Sequence, residues 1–120
     1  MDTDEITGRI IGCAFTVSNT LGAGFLEKVY ENALAIELGE AGLYGEQQKP
    51  MKVYYREQVV GEYLADILVN GLVILELKAA QVIADAHQAQ LLNYLRATGL
   101  HIGLILNFGT PRLGIKRMIL

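Results

Sequence analysis

The chain has 120 residues, 52% of them hydrophobic, with a net charge of −3 and one cysteine. This length is expected to make one domain over residues 1–120, with apolar content for a packed core and no room for a second one. A disordered chain and a disulfide framework are both excluded, and apolar runs such as Leu72–Leu75 fall far short of the ~20 residues of a membrane helix.

The lone Cys13 and the acidic start MDTDEITGR, which lacks the basic flank and apolar segment of a signal peptide, point to a reducing cytoplasm and no membrane partner. Cys13 lies in an apolar helical stretch, so a buried structural thiol is expected. The negative charge runs against a phosphate-binding surface. Lys49, Lys52, Arg56, Arg96, Arg112, Lys116 and Arg117 nevertheless lie apart from the central acids.

In chain order, Asp4 to Thr20 reads as a first helix, with Ile6, Ile10, Ile11, Ala14, Val17 and Ser18 at helical spacing. Gly22 and Gly24 break it. A second helix is expected from Phe25 to about Ala41, burying Leu26, Val29, Ala33, Leu34, Ile36 and Leu38. Glu27, Tyr30, Glu31 and Leu34 share one of its faces. Glu27 in the first turn also suits the helix dipole.

Tyr44 to Pro50 reads as a connection, followed by strands at Met51–Arg56, Val59–Val69 and Leu72–Lys78. A third helix is expected from Asp85, its cap, to Gly99. Its Gln90 and Tyr94 lie four apart on one face, with His87 a turn before. His101–Phe108 and Gly114–Ile119 complete the strands. Strand, helix, strand implies a parallel crossover. The expected class is α/β: a mixed sheet, made of a three-stranded antiparallel meander plus a parallel crossover strand, with flanking helices. An exposed edge strand would also suit pairing into a homodimer.

The hairpin around Asn70-Gly71 carries the chemistry. Asp66, Glu76 and Lys78 interrupt otherwise apolar strands, and a carboxylate on an apolar face is costly unless it is paired or binds a cation. Period two puts Glu76 and Lys78 on one face. A two-residue turn at Asn70-Gly71 would send Asp66 to the opposite face. A three-residue loop of Val69, Asn70 and Gly71, with Gly71 left-handed, would set Asp66 diagonal to Glu76, about 7–8 Å away. A bulge restoring the phase would serve as well. Paired acids of this kind form a hard oxygen site for Mg²⁺ or Mn²⁺; no His/Cys cluster at zinc spacing is present.

Asp66 followed by Glu76-Leu77-Lys78 resembles the D…(D/E)-x-K core of the PD-(D/E)XK nuclease superfamily. Gly24-Phe25-Leu26-Glu27-Lys28-Val29-Tyr30 matches the G-x-x-E-x-x-Y motif of the GxxExxY family within it. Gln90-Leu91-Leu92-Asn93-Tyr94 fits the Q-x-x-x-Y element of RecB-type nucleases. The resemblance implies a restriction-endonuclease-like core and a Mg²⁺- or Mn²⁺-dependent nuclease acting on nucleic acid, DNA rather than RNA. It implies Glu27, Asp66, Glu76 and Lys78 as catalytic residues. Asp66, Glu76, Glu27 and the Leu77 carbonyl would hold the metal, and Tyr30, His87, Gln90 and Tyr94 would support substrate or site. The rival expectation is a catalytically inactive nuclease fold that binds nucleic acid or protein.

Overall fold

The computed structural model describes residues 1–120 as eight elements in the order α1 (Thr3–Leu21), α2 (Glu27–Glu40), β1 (Gly45–Tyr55), β2 (Gln58–Val69), β3 (Val73–Lys78), α3 (Asp85–Thr98), β4 (Ile102–Asn107) and β5 (Gly114–Ile119). Asp2 starts α1: its side chain accepts from Glu5 N at 2.8 Å and satisfies one of the amides a helix start leaves open. Gly99, at φ 75°, ends α3 in a left-handed residue. No helix is long and apolar enough to cross a membrane.

The five strands form one mixed sheet in the order β1-β2-β3-β4-β5. β1, β2 and β3 pair antiparallel, β3 and β4 pair parallel through the α3 crossover, and β5 returns antiparallel on β4. β1 and β5 are thus the edges. The sheet separates two apolar layers. On one face Val73, Leu75, Leu77, Leu104 and Leu106 pack with α1 and α2 through Ile6, Ile10, Leu34 and Leu38. On the other, Leu68, Ile74 and Ile105 pack with Leu91 and Leu95 of α3. Each such side chain contributes roughly 1.5–3 kcal/mol on burial, so the layers hold β3 and β4 rigidly between them. Cys13 is buried in the first layer, as expected, and its Sγ reaches the Glu37 carbonyl at 3.6 Å.

Two stretches differ from the sequence reading. β1 begins at Gly45, within the stretch expected to be a connection, and runs through Pro50. A proline is tolerated there because β1 is an edge and one side of its backbone needs no partner. In α2 the buried residues are Tyr30, Glu31, Leu34 and Leu38, while Leu26, Val29 and Ile36 are exposed. The helix therefore lies on the face shared by Tyr30, Glu31 and Leu34, not on its most apolar one. Glu31 is tolerated inside because Lys28 Nζ at 2.9 Å and the Nε2 atoms of Gln47 and Gln48, each at 2.7 Å, satisfy its carboxylate.

The hairpin between β2 and β3 positions the site. Asn70 (φ 52°) and Gly71 (φ 67°) are both left-handed, and Leu72 N donates to Val69 O at 2.9 Å. Val69 nevertheless pairs with Val73, so the loop has three residues, Asn70, Gly71 and Leu72. An odd loop was required; its members lie one position later than expected. The consequence is closer than a diagonal, because continuing the register from Ile67↔Leu75 sets Asp66 directly against Glu76.

β2 also changes phase at Asp66. Tyr63 and Ala65 pack in the α3 layer, whereas Ile67 and Val69 pack in the α1/α2 layer. Opposite this point Gln48 adopts φ 51° and is the position skipped between Gln47↔Ile67 and Lys49↔Ala65. Beyond it β2 leaves β3 and continues with β1 alone to the turn at Arg56-Glu57. The strands splay where the acids sit.

Candidate active site

At the splay, the Leu77 amide lacks a backbone partner across the hairpin. It donates instead to Asp66 Oδ2 at 2.8 Å. That bond fixes the Asp66 carboxylate beside the Glu76-Leu77-Lys78 segment and stabilises its charged form. Glu76 projects from the α3 face of β3, half-buried. Its Oε1 accepts a hydrogen bond from the Tyr63 hydroxyl. Tyr63 in turn lies flat on Tyr94 of α3, with ring centroids 3.4 Å apart and planes 14° from parallel.

Burial pushes the Glu76 carboxyl up to about 8. The Tyr63 hydrogen bond opposes this, and the neighbouring Asp66 adds to it by its charge and by accepting the proton of a neutral Glu76. Lys78 pulls it back down. Burial, followed by the charge of Glu76, likewise raises the Tyr63 and Tyr94 hydroxyls above the ordinary tyrosine range. Two acids share one site, and their repulsion is answered only by Lys78. Lys78 itself forms no salt bridge. A divalent cation suits such a donor set, since Mg²⁺ commonly takes one or two carboxylates and fills its other positions with water or phosphate oxygens. By the chemistry of their donors, Asp66, Glu76 and the Leu77 carbonyl fit that group.

Glu27 stands at the start of α2, exposed, and its Oε2 accepts from Ala79 N at 3.2 Å. It therefore reaches the end of β3 just past Lys78. It lines a cleft of about 620 Å³ with Phe25, Lys28, Ala79 and Gly109. No three His, Cys, Asp or Glu side chains stand close enough together to hold one ion. The pair Asp66/Glu76 is adjacent, and Glu27 approaches the same strand end through a backbone amide.

The loop after β3 is held tightly. Asn107, buried at the end of β4, accepts from Ala80 N at 3.0 Å and donates to Ala80 O at 2.9 Å. A Cβ on Gly109 would stand 2.3 Å from both Ala80 N and Ala80 O, so only glycine permits this approach.

Tyr30 bonds no site carboxylate. It is fully buried and stacked on Phe108 at 4.7 Å. Its hydroxyl donates to Gly22 O at 2.6 Å and accepts from Phe25 N at 3.2 Å. It pins the glycine loop that leads into Glu27. His87 is also engaged elsewhere: its Nδ1 accepts from Ala84 N at 3.2 Å and closes the start of α3. Gln90 is exposed on α3, and Tyr94 one turn later is the member of that pair that reaches the hairpin, through Tyr63. Strict alternation along β2 sets Tyr63 and Asp66 on opposite faces, so no sequence signal marks Tyr63. Asn107 and the Gln48–Glu31 contact also left no signal.

The model of the PD-(D/E)XK nuclease superfamily matches residues 4–118. This chain belongs to that superfamily. No curated protein and no solved structure matches it. Its mixed five-stranded sheet with flanking helices is consistent with the restriction-endonuclease-like fold of PD-(D/E)XK proteins. Nucleases of the PD-(D/E)XK superfamily generally use divalent metals.

Proposed function

We propose that this PD-(D/E)XK protein is a metal-dependent nuclease that hydrolyses phosphodiester bonds, with DNA rather than RNA as substrate, and that it is a cytoplasmic member of the GxxExxY group. The observation that carries the reading is the seating of Asp66 beside Glu76, with the otherwise unpaired Lys78 on the same strand end. The G-x-x-E-x-x-Y spacing of Gly24, Glu27 and Tyr30 supports the narrower placement.

In this reading Asp66, Glu76 and the Leu77 carbonyl hold Mg²⁺ or Mn²⁺. When bound, the ion supplies a Lewis acid that lowers the pKa of a bound water and offsets charge on the scissile phosphate. Lys78 orients the attacking water and stabilises the extra negative charge that develops on phosphorus-bound oxygens as the leaving oxygen departs. Glu27, across the strand end, would orient water from the cleft side. Tyr30 and Asn107 act at a distance, by fixing the two loops that meet at Ala79 and Glu27.

Labelled single- and double-stranded DNA and RNA, incubated with Mn²⁺ or with EDTA, test this directly. The expected result is Mn²⁺-dependent cleavage that disappears in Glu76→Ala and Lys78→Ala while their melting is preserved. Cleavage at the wild-type rate in either variant refutes the reading. The rival is a nuclease fold that binds nucleic acid without cutting it. It draws on the net charge of −3 and on the lack of three gathered acids. Tight binding without turnover in any divalent metal selects it.

A further inference from the structure

Tyr63 touches a site carboxylate, and no motif marks it. It sits on β2, three residues before Asp66, on the part of the strand that has begun to leave β3. The phase change at Asp66 turns it toward α3, where it is buried with its hydroxyl on Glu76 Oε1. Its ring is clamped from the other side by Tyr94. A glutamate side chain has three rotatable bonds, and a ligand that must be ordered at the moment of binding loses affinity for that reason. Here the ordering is done beforehand: Tyr63 fixes one oxygen, and Tyr94 restricts Tyr63. Asp66 needs no such help, because the Leu77 amide fixes it.

We infer that Tyr63 is a positioning residue that presents Glu76 to a divalent cation, and that Tyr94 acts on the site through Tyr63. This rests on the nuclease reading above, and it assigns the tyrosine of the Q-x-x-x-Y element a stacking role. Tyr63→Phe keeps the ring and the stack while removing the hydroxyl. Partners that orient a metal ligand typically change affinity 10- to 100-fold when mutated.

Mn²⁺ titration calorimetry on the metal-free full chain provides the test, with thermal melting alongside. The expected result is a Kd raised at least about tenfold in Tyr63→Phe, in a chain that still melts cooperatively. Raising the Mn²⁺ concentration should restore its cleavage rate, which a merely structural role would not allow. Tyr94→Ala, at a partly buried helix position beside the α3 layer, removes the stacking partner while keeping the Tyr63 hydroxyl, and a weaker Mn²⁺ affinity is expected there too. A Tyr63→Phe affinity equal to or tighter than wild type overturns the inference. So does an unchanged affinity in Tyr94→Ala should Tyr63→Phe fail to fold. A wild-type chain that binds no Mn²⁺ removes the nuclease reading itself, and this inference with it, which separates the two failures.

Discussion

Burial raises the Glu76 carboxyl, so the folded chain keeps its proton to higher pH than the unfolded chain does, and this makes its stability effect measurable. Its carboxyl is raised from the ordinary glutamate value of 4.5 to about 8, chiefly by burial. Between those two values the folded chain binds one more proton than the unfolded chain. Stability therefore falls as pH rises through that window, and the loss is complete only above about pH 8. At ~1.4 kcal/mol per unit, the ceiling on this destabilisation is about 5 kcal/mol. Glu76 is only partly enclosed, so solvent screening reduces the expected effect to roughly 2–3 kcal/mol. Glu76→Gln mimics the protonated acid: its carbonyl still accepts from Tyr63, and its amide can donate to Asp66. Urea unfolding in EDTA at low salt should show variant and wild type within about 0.5 kcal/mol at pH 5. At pH 9 the variant should be more stable by roughly 2–3 kcal/mol, a midpoint shift on the order of 1 M urea. A gap that does not change with pH, or a wild type that gains on the variant as pH rises, refutes the reasoning.

Two further predictions concern the loops that present the site. Gly109→Ala places a methyl against the Ala79–Ala80 backbone, which cannot yield as a flexible side chain could. A loss of about 1–3 kcal/mol is expected; an unchanged thermal midpoint would contradict the close approach. Tyr30→Phe removes the bonds to Gly22 O and Phe25 N and should cost about 1–3 kcal/mol. It should also speed hydrogen exchange at the Phe25 amide, and slow exchange there would refute the pinning role.

Much of the architecture was legible because it rests on local signals. Asn70-Gly71 marked the hairpin, Gly99 ended α3, and β5 lies at Gly114–Ile119 as expected. The α3 connection then required a parallel pairing of β3 with β4. The start of β1 is hidden in the sequence because Gly45 to Pro50 is polar and contains a proline, both tolerated only through the edge position that the tertiary fold confers. The buried face of α2 is hidden for a similar reason. Glu31 is buried through Gln47 and Gln48, some sixteen residues away, and periodicity carries no information about such donors.

At the site, counting parity along β2 and β3 captured the need for an odd loop. The expected loop of Val69, Asn70 and Gly71 is instead Asn70, Gly71 and Leu72, and continuing that register brings Asp66 level with Glu76 rather than diagonal to it. Tyr63 stayed hidden because its face depends on the phase change at Asp66, opposite which Gln48 takes a left-handed backbone. Strict alternation sends Tyr63 away from the acids it touches.

The most direct test of the claim that Asp66 and Glu76 together seat a divalent cation is Mn²⁺ binding by the folded, metal-free chain compared with Asp66→Asn. Saturable binding by the wild type is expected, weakening at least about tenfold when Asp66 loses its charge, since one of the two carboxylate ligands is then gone. Mn²⁺ binding of equal affinity in the folded Asp66→Asn chain would contradict it.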